Sequence, residues 1–174
     1  MTEPSQAEWV RDAVGRYEAP LLRFTARLLD DPEAARDVVQ DAFLRLCERP
    51  RAEVDGHLAE WLYTVCRHRA LDVLRKESRM NERPLVHDAP PDGAASREPD
   101  PAEALQTREV TGRMLAALST LPPRTQEVLR LRFQEGLSYK EIAGVLQLTV
   151  SHVGVLIHNG LKSLRARIDA PRLA

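Results

Sequence analysis

The side chains best equipped for chemistry in this chain are cations at helical spacing, not nucleophiles beside bases. Arg67, His68, Arg69, Arg75, Lys76 and Arg79 crowd one segment. Their spread over several sides of a helix suits phosphates along a strand more than a single base edge. Trp61, just upstream, either stacks on or wedges against a base or belongs to a core. The histidines stand apart at 57, 68, 87, 152 and 158, and no serine has an elbow motif or a paired base. The chain therefore reads as no enzyme. Of its two cysteines, Cys66 lies two residues from His68, the start of an imaginable zinc site, but there is no CxxC or HExxH. Two buried thiols in a helical core explain the cysteines better, and no metal or cofactor is expected.

A second constellation lies near the C-terminus. Ile142, Ala143, Leu146, Leu148, Val150, Val153 and Leu156 have the spacing of a helix-turn-helix, with small Ala143 where two helices cross. Gln147 occupies the turn position where glycine is usual, because that residue often takes positive φ, at a cost of about 1 kcal/mol. On the last helix Val150, Val153, Ile157, Leu161, Leu164 and Ile168 are assigned to the core. That leaves Ser151, His152, Val155, Asn159 and Lys162 facing outward. The first half of TVSHVGVLIHNGLKSLRAR carries no Lys or Arg. Thr149, Ser151 and His152, with the helix N-terminus, supply polar contacts to DNA. Arg124, Arg130, Arg132 and Lys140 on neighbouring helices supply charge. Few phosphate anchors mean weak intrinsic affinity and a shallow salt dependence. Gly154 and Gly160 each cost the helix about 1 kcal/mol relative to Ala, so tertiary contacts must hold it.

The elements that position these residues are all helices. Val10, Val14, Tyr17, Leu21, Phe24 and Leu28 make one stripe, interrupted by Pro20, which implies a kink or two helices meeting near Ala19. Asp31-Pro32-Glu33 starts a helix that turns Ala35, Val38, Ala42 and Leu46 inward and ends near Glu48-Arg49-Pro50. PRAEVDGH, residues 50 to 57, reads as a loop, and a long helix follows from about Leu58 to Ser78. Residues 83 to 107 are rich in Pro, Ala and Asp without hydrophobic period, which marks a flexible acidic linker between two domains. Beyond it, Val110 to Leu118 is helical, Leu121-Pro122-Pro123 starts a helix that Gly136 closes, Ser138 to Glu141 has capping-box spacing, and Thr149 caps the last helix. The fold class is all-α: a domain over 1–82, the linker, and a second domain over 108–174. The net charge of −1 conceals alternating acidic and basic blocks, which suit separate partners. No run approaches the 18 to 20 or so apolar residues of a membrane span, so the expected location is the cytoplasm without membrane insertion.

LPPRTQEVLRLRFQEGLSYKEIAGVLQLTVSHV resembles the fourth domain of the extracytoplasmic-function (ECF) sigma factors, the smallest bacterial sigma factors. ARDVVQDAFLRL and AEWLYTVCRHRALDVLRKESR resemble the core-binding segment and the promoter-contacting helix of their second domain. The resemblance implies that the chain binds core RNA polymerase and promoter DNA. It places Asp37, Gln40, Asp41, Leu44 and Arg45 on the clamp helices of the largest subunit, and the acid–amide ridge with its apolar centre suits that docking. It assigns Arg49, Arg51, His57, Trp61, Arg67, His68, Arg69, Arg75, Lys76 and Arg79 to recognition and opening of the minus-ten element. Arg124, Lys140, Thr149, Ser151, His152, Val155, Asn159 and Lys162 fall to the minus-thirty-five element. Family members often carry Lys or Arg where this chain has Gly154, Leu156, Asn159 and Leu161. Linker acids Asp88, Asp92, Glu98, Asp100 and Glu103 either mimic nucleic acid inside polymerase or belong to a solvated tether. An anti-sigma factor is the further partner the family implies. Two alternatives stand beside this reading: a helix-turn-helix regulator of the response-regulator kind, disfavoured by an all-helical N-terminal half, and a polymerase-binding adaptor without its own promoter specificity.

Overall fold

A computed structural model describes residues 5–81 and 112–168 of the 174-residue chain. The helices in order are α1 (Gln6–Leu29), α2 (Pro32–Cys47), α3 (Arg51–Val54), a 3-10 turn (Asp55–His57), α4 (Leu58–Asn81), α5 (112–119), α6 (Pro123–Phe133), α7 (Tyr139–Leu146) and α8 (Val150–Ile168). No strand occurs among the described residues, in agreement with the all-α expectation. Backbone proximity divides the described helices into two compact units, α1–α4 with residues 140–148 and the remainder of α5, α6 and α8. The expected linker, with its acids Asp88 to Glu103, lies outside the described residues.

In the first unit, local chemistry sets the helix ends. Ser5 and Glu8 form a reciprocal capping box at the start of α1. Asp30 in the left-handed conformation, φ 54°, closes α1, and Asp31 then accepts from the amides of Glu33 and Ala34 as Pro32 opens α2. The α2 start is as expected. Pro20 does not divide α1: one helix continues through it. An interior proline costs about 3 kcal/mol, and packing of α1 on both α2 and α4 offsets it. The buried stripe is also rotated from the expected one. Trp9, Ala13, Leu21, Phe24, Thr25 and Leu29 are buried, while Val10, Val14, Tyr17 and Leu28 are only half-buried. Two partner helices demand a different face from the one hydrophobicity alone selects.

Ala35, Val38, Val39, Ala42 and Leu46 of α2 and Leu62, Tyr63, Cys66, Ala70 and Leu74 of α4 complete this core. Phe24 meets Tyr63 edge-on, centroids 5.1 Å apart. The segment expected to be a loop is instead α3 and the 3-10 turn, tied to α1. Trp9 Nε1 donates to Asp55 Oδ1 at 3.0 Å, and Gln6 Nε2 donates to the Arg49 carbonyl at 2.9 Å.

The second unit holds α8 against α6. Pro122 precedes α6 without a side-chain cap, and the Gln126 amide donates to the carbonyls of Leu121 and Ser119 instead. Gly136, φ 72°, closes α6 as expected. Among the described side chains of α8, Val153, Ile157 and Leu164 are buried, as is Gly160; the side chain of Ile168, also expected in the core, lies outside them. Val150 corrects the expected core list: it is 50% exposed, and Leu161 is half-buried. The two helix glycines differ in kind. A Cβ at Gly160 would meet Thr125 Cγ2 at 2.8 Å and Leu129 Cδ1 at 2.9 Å, whereas one at Gly154 would only touch Tyr139 Cε2 at 3.8 Å.

Gly160→Ala is therefore expected to destabilise the protein by about 1–2 kcal/mol despite the better helix former, because overpacking outweighs propensity. Gly154→Ala is expected to stabilise it by up to about 1 kcal/mol. Urea titration of the two variants measures both signs.

Candidate nucleic-acid interface

At 3.6 residues per turn, Trp61, His68, Arg69, Arg75, Lys76 and Arg79 fall within an arc of about 120° on α4, opposite the buried stripe of Leu62, Tyr63, Cys66, Ala70 and Leu74. Arg67 stands outside that arc. The cationic surface is thus narrower than its sequence spacing implied. His68, Arg75, Lys76 and Arg79 are exposed, while Arg67, Arg69 and Trp61 are half-buried, so Trp61 is neither sealed in the core nor fully presented. Arg75 pairs with Asp72 at 3.0 Å, an exposed contact that a phosphate can displace at little cost.

Residues 49–57 present Arg49, Arg51 and His57. Arg49 pairs with Glu53 at 3.4 Å and Arg51 with Asp55 at 3.2 Å, while His57 is exposed. Sequence reasoning missed Gln6, Trp9 and Asp55, which position this segment. The available signal was a tryptophan at the head of a polar helix with no stripe partner of its own, a residue that buries a ring only by finding an acceptor for its N–H.

On α2, Asp37, Gln40, Leu44 and Arg45 are exposed and Asp41 is half-buried, on the face away from Ala35, Val38, Ala42 and Leu46. Leu44, 59% exposed, is the apolar centre of that face. Asp41 Oδ2 accepts from Arg45 Nε at 3.1 Å and from Arg69 Nε at 2.9 Å. One carboxylate thereby links the acidic face of α2 to the cationic face of α4.

The helix-turn-helix expectation meets its geometry at residues 139–168. Gln147 has φ 54°, as its position required, and the Leu148 and Gln147 amides donate to the carbonyls of Ala143 and Gly144. That pair of bonds is a Schellman closure. Thr149 Oγ1 accepts from the His152 amide at 3.1 Å, the expected cap. Ser151, His152, Val155, Asn159 and Lys162 are all exposed on the outward side of α8, together with His158. Lys140 is exposed, and Arg124 is half-buried with Glu127 at 3.5 Å.

The thiols correct the expectation of two buried cysteines. Cys66 is buried, but Cys47 at the end of α2 is exposed. Cys66 and His68 point to different sides of α4, so they do not converge on a metal. Burial pushes the Cys66 thiol up to about 12 from its ordinary 9.0.

An all-α chain with a cationic helix face, an acidic face centred on an exposed leucine and a helix-turn-helix has the features of a DNA-binding transcription factor. Residues 13–80 match Sigma-70 region 2 and residues 111–164 match Sigma-70, region 4. The ECF RNA polymerase sigma factor SigL of Mycobacterium tuberculosis is 30% identical over 170 residues, 95% of this chain and 92% of that protein. SigE of Mycolicibacterium smegmatis is 29% identical over 93% of this chain, which spans 61% of that protein's length. The fold also matches the sigma factor RpoE solved with the anti-sigma factor NepR from Bartonella quintana, with a TM-score of 0.65 at 17% identity, covering 93% of this chain and 98% of that one. The chain belongs to the ECF RNA polymerase sigma factors, initiation factors that choose where a polymerase starts and are not themselves enzymes. No single described helix is long and apolar enough to cross a membrane.

At pH 8 a thiol reagent is expected to modify Cys47 of the native protein quickly and Cys66 only on unfolding; rapid labelling in a Cys47→Ser variant would contradict the buried assignment. With its native value raised, Cys66 contributes stability that is fully present below about pH 9 and is lost as the pH rises toward 12. Denaturation of wild type and Cys66→Ala across that range measures the loss.

Proposed function

We propose that the chain binds core RNA polymerase through Asp37, Gln40, Asp41, Leu44 and Arg45 of α2, and engages two promoter elements through separate surfaces. The cationic arc of α4 with Arg49, Arg51 and His57 holds the minus-ten element, phosphates first and bases second. The α7–α8 turn, with Arg124, Lys140 and the outward residues of α8, takes the minus-thirty-five element. In this reading the functional domains are 1–82 and 108–174, joined by the linker, and the protein works in the cytoplasm. Its likeness to a sigma factor solved with an anti-sigma factor supports an anti-sigma factor as a further partner.

The observation that carries this reading is the presence on one shared core of two adjoining faces of opposite character, acid–apolar on α2 and cationic on α4. A regulator that touched DNA alone would have no use for the exposed Leu44 ringed by Asp37, Gln40 and Asp41. The decisive experiment adds the purified protein to sigma-free core polymerase and maps transcript starts on genomic DNA. Core binding with promoter-specific starts is expected, and absence of both would overturn the reading. Core binding without initiation would favour an adaptor.

Two variants separate the surfaces. Asp37→Arg combined with Leu44→Ala is expected to weaken core binding about tenfold or more without changing the far-ultraviolet spectrum. Lys162→Ala is expected to leave core affinity intact and to reduce the salt slope of upstream-DNA binding by about 1.

A further inference from the structure

The outward face of α8 has a composition that specifies what kind of base it can read. Among residues 151–159 on that face, Ser151, Val155 and Asn159 follow one another at intervals of four, and none is charged. A guanine is most often read by a bidentate Arg or Lys, and the base-facing half of this helix has neither. What it presents is Val155, 54% exposed, at the middle of the face. An exposed β-branched residue gains nothing from the helix, whose propensity for valine is poor. It does match the one apolar group in the major groove, the 5-methyl of thymine.

Charge says what lies opposite this face. From Val150 to Ile168, α8 contains no Asp or Glu, while Lys162, Arg165 and Arg167 gather in its C-terminal half. The helix is thus graded, neutral and partly apolar where it would meet base edges and cationic where it would meet phosphates. That gradient fits duplex DNA entered N-terminus first. A protein groove would leave the three cations without an obvious counterpart. Thr149 holds the entry end rigid through its bond to the His152 amide, so Val155 keeps a fixed height above the turn.

We infer that Val155 is a specificity-determining residue that reads a thymine in the upstream promoter element by contact with its 5-methyl group. This rests on the promoter-binding reading above. A fully formed contact buries one methyl, which corresponds to about a fourfold change in affinity.

The test uses holoenzyme reconstituted from the full chain and core polymerase. Duplexes that it retains are first enriched from a random pool fused to a fixed minus-ten region. In the best duplex each upstream thymine is then replaced, one at a time, by deoxyuridine, which pairs identically but lacks the methyl. One position is expected to lose about fourfold in affinity with wild-type protein. Val155→Ala is expected to abolish that loss, and Val155→Thr, which keeps one γ-methyl, to retain it in part. Uracil neutral at every position, or a loss unchanged in Val155→Ala, would overturn the thymine contact and leave the promoter-binding reading standing. Failure to enrich any upstream sequence would overturn both.

Discussion

The surfaces of the first unit depend on one constraint: α4 must lay Leu62, Tyr63, Cys66, Ala70 and Leu74 against α1 and α2. Phe24 and Tyr63 meet edge-on within that contact. Once these residues are inside, the rotation of α4 is determined, because at 3.6 residues per turn a change of face would expose the whole stripe. The cationic arc is what remains outside. Core packing therefore aims the charges. The same logic orients α2, whose buried Ala35, Val38, Ala42 and Leu46 leave Leu44 and its polar neighbours to solvent.

Charge couples these two faces at Asp41, which accepts from Arg45 on its own helix and Arg69 across the interface. Pairs this exposed contribute little to stability individually. Their structural consequence is positional: Arg69 is held toward α2, while His68, Lys76 and Arg79 are exposed and Arg75 pairs with Asp72 on its own helix. In the C-terminal part, the cost of holding Gln147 at positive φ is offset by the two amide bonds that close α7.

Much of this was legible in the residue pattern because it is local. Asp31-Pro32, Gly136, Gln147 and Thr149 act through bonds to amides or carbonyls a few residues away, so their roles follow from spacing. The outward set Ser151, His152, Val155, Asn159 and Lys162 was legible for the same reason. The ordered segment at 51–57 was not, since it depends on Gln6 and Trp9, more than forty positions away in the chain. Nor could spacing distinguish Gly160, which has no room for a methyl beside Thr125 and Leu129, from Gly154, which has.

The sequence by itself determined that the chain is helical, where α2 and α8 begin and where α6 closes, and which residue types line the outward faces. Those properties come from hydrogen bonds and side-chain periods spanning a turn or two. Tertiary structure alone decided that α1 runs unbroken through Pro20, that its buried stripe turns toward Trp9 and Ala13, that Cys47 is exposed while Cys66 is sealed, and that Val150 leaves the core. Each of these depends on how many neighbours a helix must satisfy at once. An amphipathic pattern ranks faces by hydrophobicity, but only packing against specific partners selects among faces that rank almost equally.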